Sequence, residues 1–153
     1  MALETERPID AVGWKLLQEL QVNARLPYSE LGRRVGLTAP AVAERLKRLE
    51  DSGVISGYHV ELDFERLGMP LMAFVRVVPR NATCAQVNDY ARSIPEVLEC
   101  HRVTGAECSI MKVLVRSVEH LEEVIDRLMP LGETVTSVVL SSSVTHRVIG
   151  PHR

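Results

Sequence analysis

Four residues in the first third of the chain, Ala41, Glu44, Arg45 and Arg48, stand at i, i+3, i+4 and i+7. On an α-helix, at about 100° of rotation per residue, they form one stripe. The stripe is small at its start and cationic at its end. That order suits a helix laid into a DNA major groove, where small residues let the backbone approach base edges and guanidinium groups reach guanine or phosphate. Val42, Leu46 and Leu49 lie at i, i+4 and i+7 and give the same helix an apolar back. Lys47, Arg33 and Arg34 add charge, so residues 33–48 hold five cations against one acid, Glu44. A solvated helix face has the same composition, so the choice rests on what precedes the helix.

Two short helices with a tight turn between them read out of residues 29–49. Ser29 is a suitable N-cap for the first, because its hydroxyl can accept from a free backbone N–H. Leu31 and Val35 recur at helical spacing, and Gly36 supplies a left-handed stop. Thr38 caps the second helix, with Pro40 in its first turn, where a missing N–H costs little. The combination is a helix-turn-helix. Upstream, Asp10 caps a further helix whose apolar face is Val12, Leu16, Leu17 and Leu20. Trp14 is packing surface on it. Residues 1–52 thus form a three-helix domain, with Val12, Leu16, Leu20, Leu31, Val35, Val42, Leu46 and Leu49 sharing one core. The first eight residues are expected to fray. Gly32, inside a helix, costs about 0.5–1 kcal/mol relative to alanine, which points to close approach of the helices there.

Residues 53–69 read as a strand-like linker: Val54 to Leu62 has strand composition, with Gly57 as a bend, and Gly68 and Pro70 mark a boundary. Over 70–153 the period changes. Strands are expected at 71–79, 97–105, 108–115 and 134–144, and helices at 84–94, capped by Thr83, and at 118–129. The order βαββαβ is a ferredoxin-like α+β sandwich, with helices on one face of an antiparallel sheet. The bare face needs a cover, and a second copy is the simplest one.

Other chemistry finds little footing. Net charge is −2, with 46% hydrophobic and 25% charged residues, as in an ordinary soluble protein. No apolar run approaches the ~20 residues of a membrane span, and MALETERPID has no secretory pattern. Cys84, Cys100 and Cys108 make neither CxxC nor an even disulfide set, and read as reduced cytoplasmic thiols. His59, His101, His120, His146 and His152 lack metal-ligand spacing. Strand alternation sends Cys100 and His101 to opposite faces. Cys108 is either a reactive thiol or a packing residue, and free cysteine usually packs. No catalytic residues, metal or cofactor are expected.

On the segments IDAVGWKLL, NARLPYSELGRRVGLTAPAVAERLKRLEDSGVISGY and the VTG turn, the chain resembles the leucine-responsive/asparagine-responsive (Lrp/AsnC) or feast/famine transcription regulators. The resemblance runs from about Asp10 to His146. It implies an N-terminal DNA-binding domain and a C-terminal βαββαβ domain that dimerises, often assembles to octamers, and often binds an amino acid between subunits. Carried onto this chain, it places Thr38, Pro40, Ala41, Glu44, Arg45 and Arg48 towards the major groove, with Lys47 beside them. Ser29 and Arg33 fall near backbone phosphates. Effector contacts fall at Val103, Thr104, Gly105, Ala106, Glu107 and Cys108, with Thr134, Thr136 and Ser137 near them.

The chain departs from the family pattern in three places. Gly13 stands where an acid is usual. Gly105–Ala106–Glu107–Cys108 replaces Gly-x-x-Asp, which removes a carboxylate unless Glu107 serves one residue early. Pro130–Leu131 stands where Gly-Val is common. Three classes follow: an effector-responsive regulator acting on pseudo-palindromic duplex DNA, a DNA-organising oligomer without effector response, or an enzyme like the sirohaem decarboxylases on the same scaffold.

Overall fold

The computed structural model describes residues 9–151. The expected fraying of residues 1–8, and His152, lie outside the described residues. The chain divides into two compact units, Met1–Val60 with Val144–Arg153, and Glu61–Ser143.

The first unit holds α1 (Ala11–Val22), α2 (Tyr28–Val35) and α3 (Ala39–Asp51). The Asp10 carboxylate caps α1, accepting from the Gly13 N–H at 2.7 Å. Thr38 caps α3 through the Ala41 N–H at 3.4 Å. α2 corrects the sequence reading: it starts at Tyr28, with Pro27 at the N-cap and no side-chain cap. Proline fixes φ near the value that enters a helix, and the Pro27 carbonyl takes the Glu30 and Leu31 N–H groups at 3.0 and 2.9 Å. Ser29 therefore sits inside the first turn, exposed.

Gly36 closes α2 at φ 76°, in the left-handed region, and the Leu37 N–H returns to the Gly32 carbonyl at 2.9 Å. That return brings the turn backbone over Gly32, where a Cβ would lie 2.3 Å from the Leu37 carbonyl oxygen. The close approach at Gly32 is thus made by the turn itself. Leu16, Leu20, Leu31, Val42 and Leu46 form the core, flanked by Leu26, Val35, Leu37, Leu49 and Ile55. Val12, expected among them, lies half-buried outside the cluster.

The sequence reading carried the second domain on to residue 153. In the structure the segment from Val144 belongs to the first unit. The Gln21 side-chain amide accepts from the Ile149 N–H at 2.8 Å and donates to its carbonyl at 2.9 Å.

Val54 to Leu62 forms no strand, against expectation. No described strand pairs with it, and Val60 is 83% exposed. Strand-like composition without a ladder leaves backbone groups to water.

The second unit holds β1 (Leu71–Pro79), α4 (Cys84–Ala91), β2 (Val97–Arg102), β3 (Ser109–Val115), α5 (Val118–Leu128), a 3-10 turn (Met129–Leu131) and β4 (Gly132–Val138). The sheet order β2-β3-β1-β4, antiparallel throughout, is the expected ferredoxin-like arrangement. Thr83 and Gln86 form a full capping box on α4. That helix stops at Ala91, short of the expected residue 94, because the residue before Pro95 is disfavoured in helical geometry. β4 stops at Val138 and not at 144. Its neighbour in the described sheet, β1, is exhausted once Val138 faces Ala73 and the Val139 N–H reaches the Met72 carbonyl at 2.9 Å. β2 stops at Arg102 and not at 105, so the turn between β2 and β3 spans 103–108. Ala73, Val75, Val77, Met111, Val113 and Val115 point inward against Val87, Ala91, Leu121, Val124 and Leu128 of the two helices. The opposite face carries Phe74 and Val135, both exposed.

Candidate nucleic-acid interface

α3 sits with Val42 and Leu46 buried and its other side outward. Thr38, Pro40, Glu44, Lys47 and Arg48 are exposed, and Ala41 and Arg45 half-buried. The Arg48 side chain is 72% exposed and that of Arg45 37%. Ser29 and Arg33 are exposed on α2.

The cations of this surface are not bare. One guanidinium nitrogen of Arg45 reaches both oxygens of Asp10 at 3.0 and 2.8 Å, tying α3 to the start of α1. That hydrogen bond, with the Gly13 N–H, holds the Asp10 carboxyl below the usual carboxylate range. Arg33 grips both oxygens of Glu30 at 2.8 Å. Arg34 bridges Glu30 at 2.8 Å and Glu19 at 2.6 Å. Arg48 pairs with Glu44 one turn earlier. Each arginine of the patch thus has a carboxylate partner, and Asp10, Glu19 and Glu30 all lie outside residues 33–48. The local charge count made from sequence is corrected accordingly. Among the described residues Lys47 makes no ion pair. Sequence reasoning saw Asp10 only as a helix cap. No local signal marks a partner 35 residues away.

Such solvent-exposed pairs are screened and readily exchanged, so a phosphate can exchange with the carboxylate. Meanwhile the pairs hold the guanidinium groups in place. Glu30 gives a direct check. Arg33 and then Arg34 push its carboxyl down to about 2 from 4.5. A folded-state value below the unfolded one stabilises the fold above the unfolded value, and that contribution is lost as pH falls towards 2. NMR titration of the Glu30 carboxyl carbon should show a midpoint near 2. A midpoint at the ordinary glutamate value would mean that the two bridges do not form in solution.

The residues expected to take an effector lie at one end of the sheet. The 103–108 turn is closed by the Val103 N–H on the Cys108 carbonyl at 3.2 Å and anchored by the Cys108 N–H on the Val77 carbonyl at 2.9 Å. Thr104, Gly105 and Ala106 are exposed, Val103 and Glu107 half-buried, and Cys108 buried. Val77 pairs with Ser109 on one side and Thr134 on the other, which puts turn and β4 start two strand spacings, about 9.6 Å, apart. The set divides between faces, however. Thr134 and Thr136 pair with the inward Val77 and Val75 on the helix side. Ser137 is on the open face, where its hydroxyl accepts from Arg76 at 3.2 Å. A cavity of about 420 Å³ opens elsewhere, between α4 and β2, lined by Asn88, Arg92, Glu99, Cys100 and Arg102 among others. None of the expected effector residues lines it.

Cys100 and His101 do separate, the thiol donating to Asn88 at 3.4 Å on the helix side and the imidazole meeting Glu99 at 3.3 Å. Among the described residues no three His, Cys, Asp or Glu side chains are grouped to hold a metal, and no helix is long and apolar enough to cross a membrane.

Residues 9–50 match the family model of the AsnC-type helix-turn-helix domain, and residues 72–149 that of the Lrp/AsnC ligand binding domain. The uncharacterized HTH-type transcriptional regulator YezC of Bacillus subtilis is 42% identical over 138 residues, covering 90% of this chain and 98% of its own. The solved structure of LrpC from Bacillus subtilis superposes with a TM-score of 0.84 at 33% identity, covering 89% of this chain and 97% of that one. The feast or famine regulatory protein of Mycobacterium tuberculosis, complexed with L-methionine, gives a TM-score of 0.87 at 31% identity, covering 94% and 100%. With both domain models matched in this order over a fold built the same way, the chain belongs to the Lrp/AsnC family of HTH-type transcription regulators.

Proposed function

We propose that this regulator works as a dimer on a pseudo-palindromic site in duplex DNA, each copy laying α3 into the major groove. Thr38, Pro40, Ala41 and Glu44 then face base edges. Arg45, Lys47 and Arg48 reach guanine or phosphate, and Ser29 and Arg33 lie against the backbone. The observation that carries this reading is α3 itself, buried along Val42 and Leu46 and open along Glu44 and Arg48. The open sheet face, with Phe74 and Val135 exposed, supports a second copy as its cover, and further assembly of dimers into octamers extends the same reading. Two α3 helices on one face of the duplex would meet half-sites about one helical turn, or a multiple, apart. Work on DNA places the protein in the cytoplasm.

Footprinting tests the assignment. Arg45→Ala and Arg48→Ala should weaken specific binding, by about 1–3 kcal/mol for whichever side chain contacts a guanine bidentately. Binding should also fall with salt as phosphate contacts release counterions. If both variants footprint like the parent, α3 is not the reading helix.

An amino-acid effector at the 103–108 turn and the start of β4 is the second half of the proposal. It is supported by relatives solved with L-methionine and by the common sheet end of Cys108 and Thr134. A thermal-shift screen of the twenty amino acids checks it: a native-state ligand at 100 times its Kd adds about 2.7 kcal/mol. No shift with any of them leaves the DNA-organising reading, which the division of Thr136 and Ser137 between faces favours.

A further inference from the structure

The chain leaves the first unit after Val60 and re-enters it at Val144, so the second unit is joined to the first at both of its ends. One side chain of α1 takes hold of the returning segment. The Gln21 amide oxygen accepts from the Ile149 N–H at 2.8 Å. Its nitrogen donates to the Ile149 carbonyl at 2.9 Å and to the Leu17 carbonyl at 3.1 Å. Both donors and the acceptor of the amide are thereby used, which fixes the way it faces. The N–H and C=O of one residue point to the same side in a strand, and Gln21 stands where a neighbouring strand's peptide group would. Gly150 comes next, close against Gln18, where a Cβ would lie 2.9 Å from the amide nitrogen. Apolar burial adds little, since Val148 and Ile149 are both exposed. α1 is also the helix that meets the other two: Asp10 at its N-cap pairs with Arg45 of α3, and Glu19 with Arg34 of α2. A chain end resting on a helix by chance makes scattered contacts. It does not engage one side-chain amide through both an N–H and a C=O.

We propose that residues 144–151 form a releasable strap. Docked on Gln21, it ties α1, and through α1 the reading helix α3, to the segment that follows β4. Undocked, it leaves the linker of residues 53–69 as the one restraining connection between the units. Hydrogen bonds open to water are individually weak, and neither apolar core takes part in these, so the strap comes off without unfolding either unit. Movement at the end of β4 then reaches α1 through the strap as well as through the linker. Any effect on operator or effector binding rests on the function proposed above, but the docking itself does not.

The test uses the full chain and two readouts. Hydrogen exchange at the Ile149 amide should be about tenfold slower in the parent than in Gln21→Ala. Trp14, the one tryptophan of the chain, lies on α1, so its time-resolved fluorescence anisotropy follows the first unit. Release gives that unit motion of its own, and the nanosecond component of the decay should grow in Gln21→Ala. Gln21 is exposed, so the variant keeps its fold, which far-UV circular dichroism confirms. Gln21→Glu should release the strap as well, because a carboxylate keeps the acceptor but has no N–H for the Ile149 carbonyl. Lys15→Ala, exposed on the same helix, should change neither readout. Equal Ile149 exchange in the parent and Gln21→Ala would overturn the docking. Faster exchange with an unchanged Trp14 decay would overturn the restraint. Protection that disappears on dilution to the monomer would place Ile149 on a second copy and overturn the strap. None of these outcomes depends on whether DNA or an amino acid binds.

Discussion

Leu46→Ala is expected to destabilise the helix-turn-helix unit by about 2–5 kcal/mol, the range for a buried leucine reduced to alanine. Leu46 is 1% exposed and packs in a core whose other buried members, among the described residues, are Leu16, Leu20, Leu31 and Val42. So few neighbours can neither collapse into the cavity nor share the loss. A unit this small has little stability in reserve. The variant should therefore lose α3 order and DNA binding together, although Leu46 faces away from any duplex. Far-UV circular dichroism melts and gel-shift titration measure the two losses. Leu49→Ala, at a half-buried position of the same helix, should cost visibly less. A Leu46→Ala melt superposable on the parent would mean that this core is not packed as described.

Gly32→Val is expected to cost about 3 kcal/mol, the upper end for overpacking. Helix propensity alone points the other way, since valine is better than glycine in a helix interior by a few tenths of a kcal/mol. The sign therefore separates the two accounts. The added Cβ would stand 2.3 Å from the Leu37 carbonyl oxygen, a backbone atom held by the Leu37 N–H bond to the Gly32 carbonyl. Relief requires opening the turn, which rotates α3 away from α2. Urea denaturation should show a lower midpoint, and operator affinity should fall even where the variant remains folded. Equal or greater stability would show that the turn can yield.

Much of the fold could be read from neighbouring residues alone. Asp10, Thr38 and Thr83 announced their helices because a cap bonds an N–H only two or three residues on. Gly36 announced the turn because glycine enters the left-handed region at little cost. The stripe Ala41, Glu44, Arg45 and Arg48 and its apolar back followed from the helical period, and the βαββαβ order from a change of period. Ser29 misled because Pro27, two residues earlier, starts the helix by conformation and needs no hydroxyl.

The remainder depends on residues far apart in the chain. Val54 to Leu62 has the residues of a strand and no ladder partner, while β4 ends where β1 runs out. Arg45 meets Asp10, Arg34 meets Glu19, Gln21 takes Ile149, and Ser109 meets Asn88. Spacing within a helical turn is set by covalent geometry, so composition and period carry it. Which carboxylate neutralises which arginine is settled when hydrophobic burial folds distant segments together. That burial is non-directional and leaves no mark beside either partner.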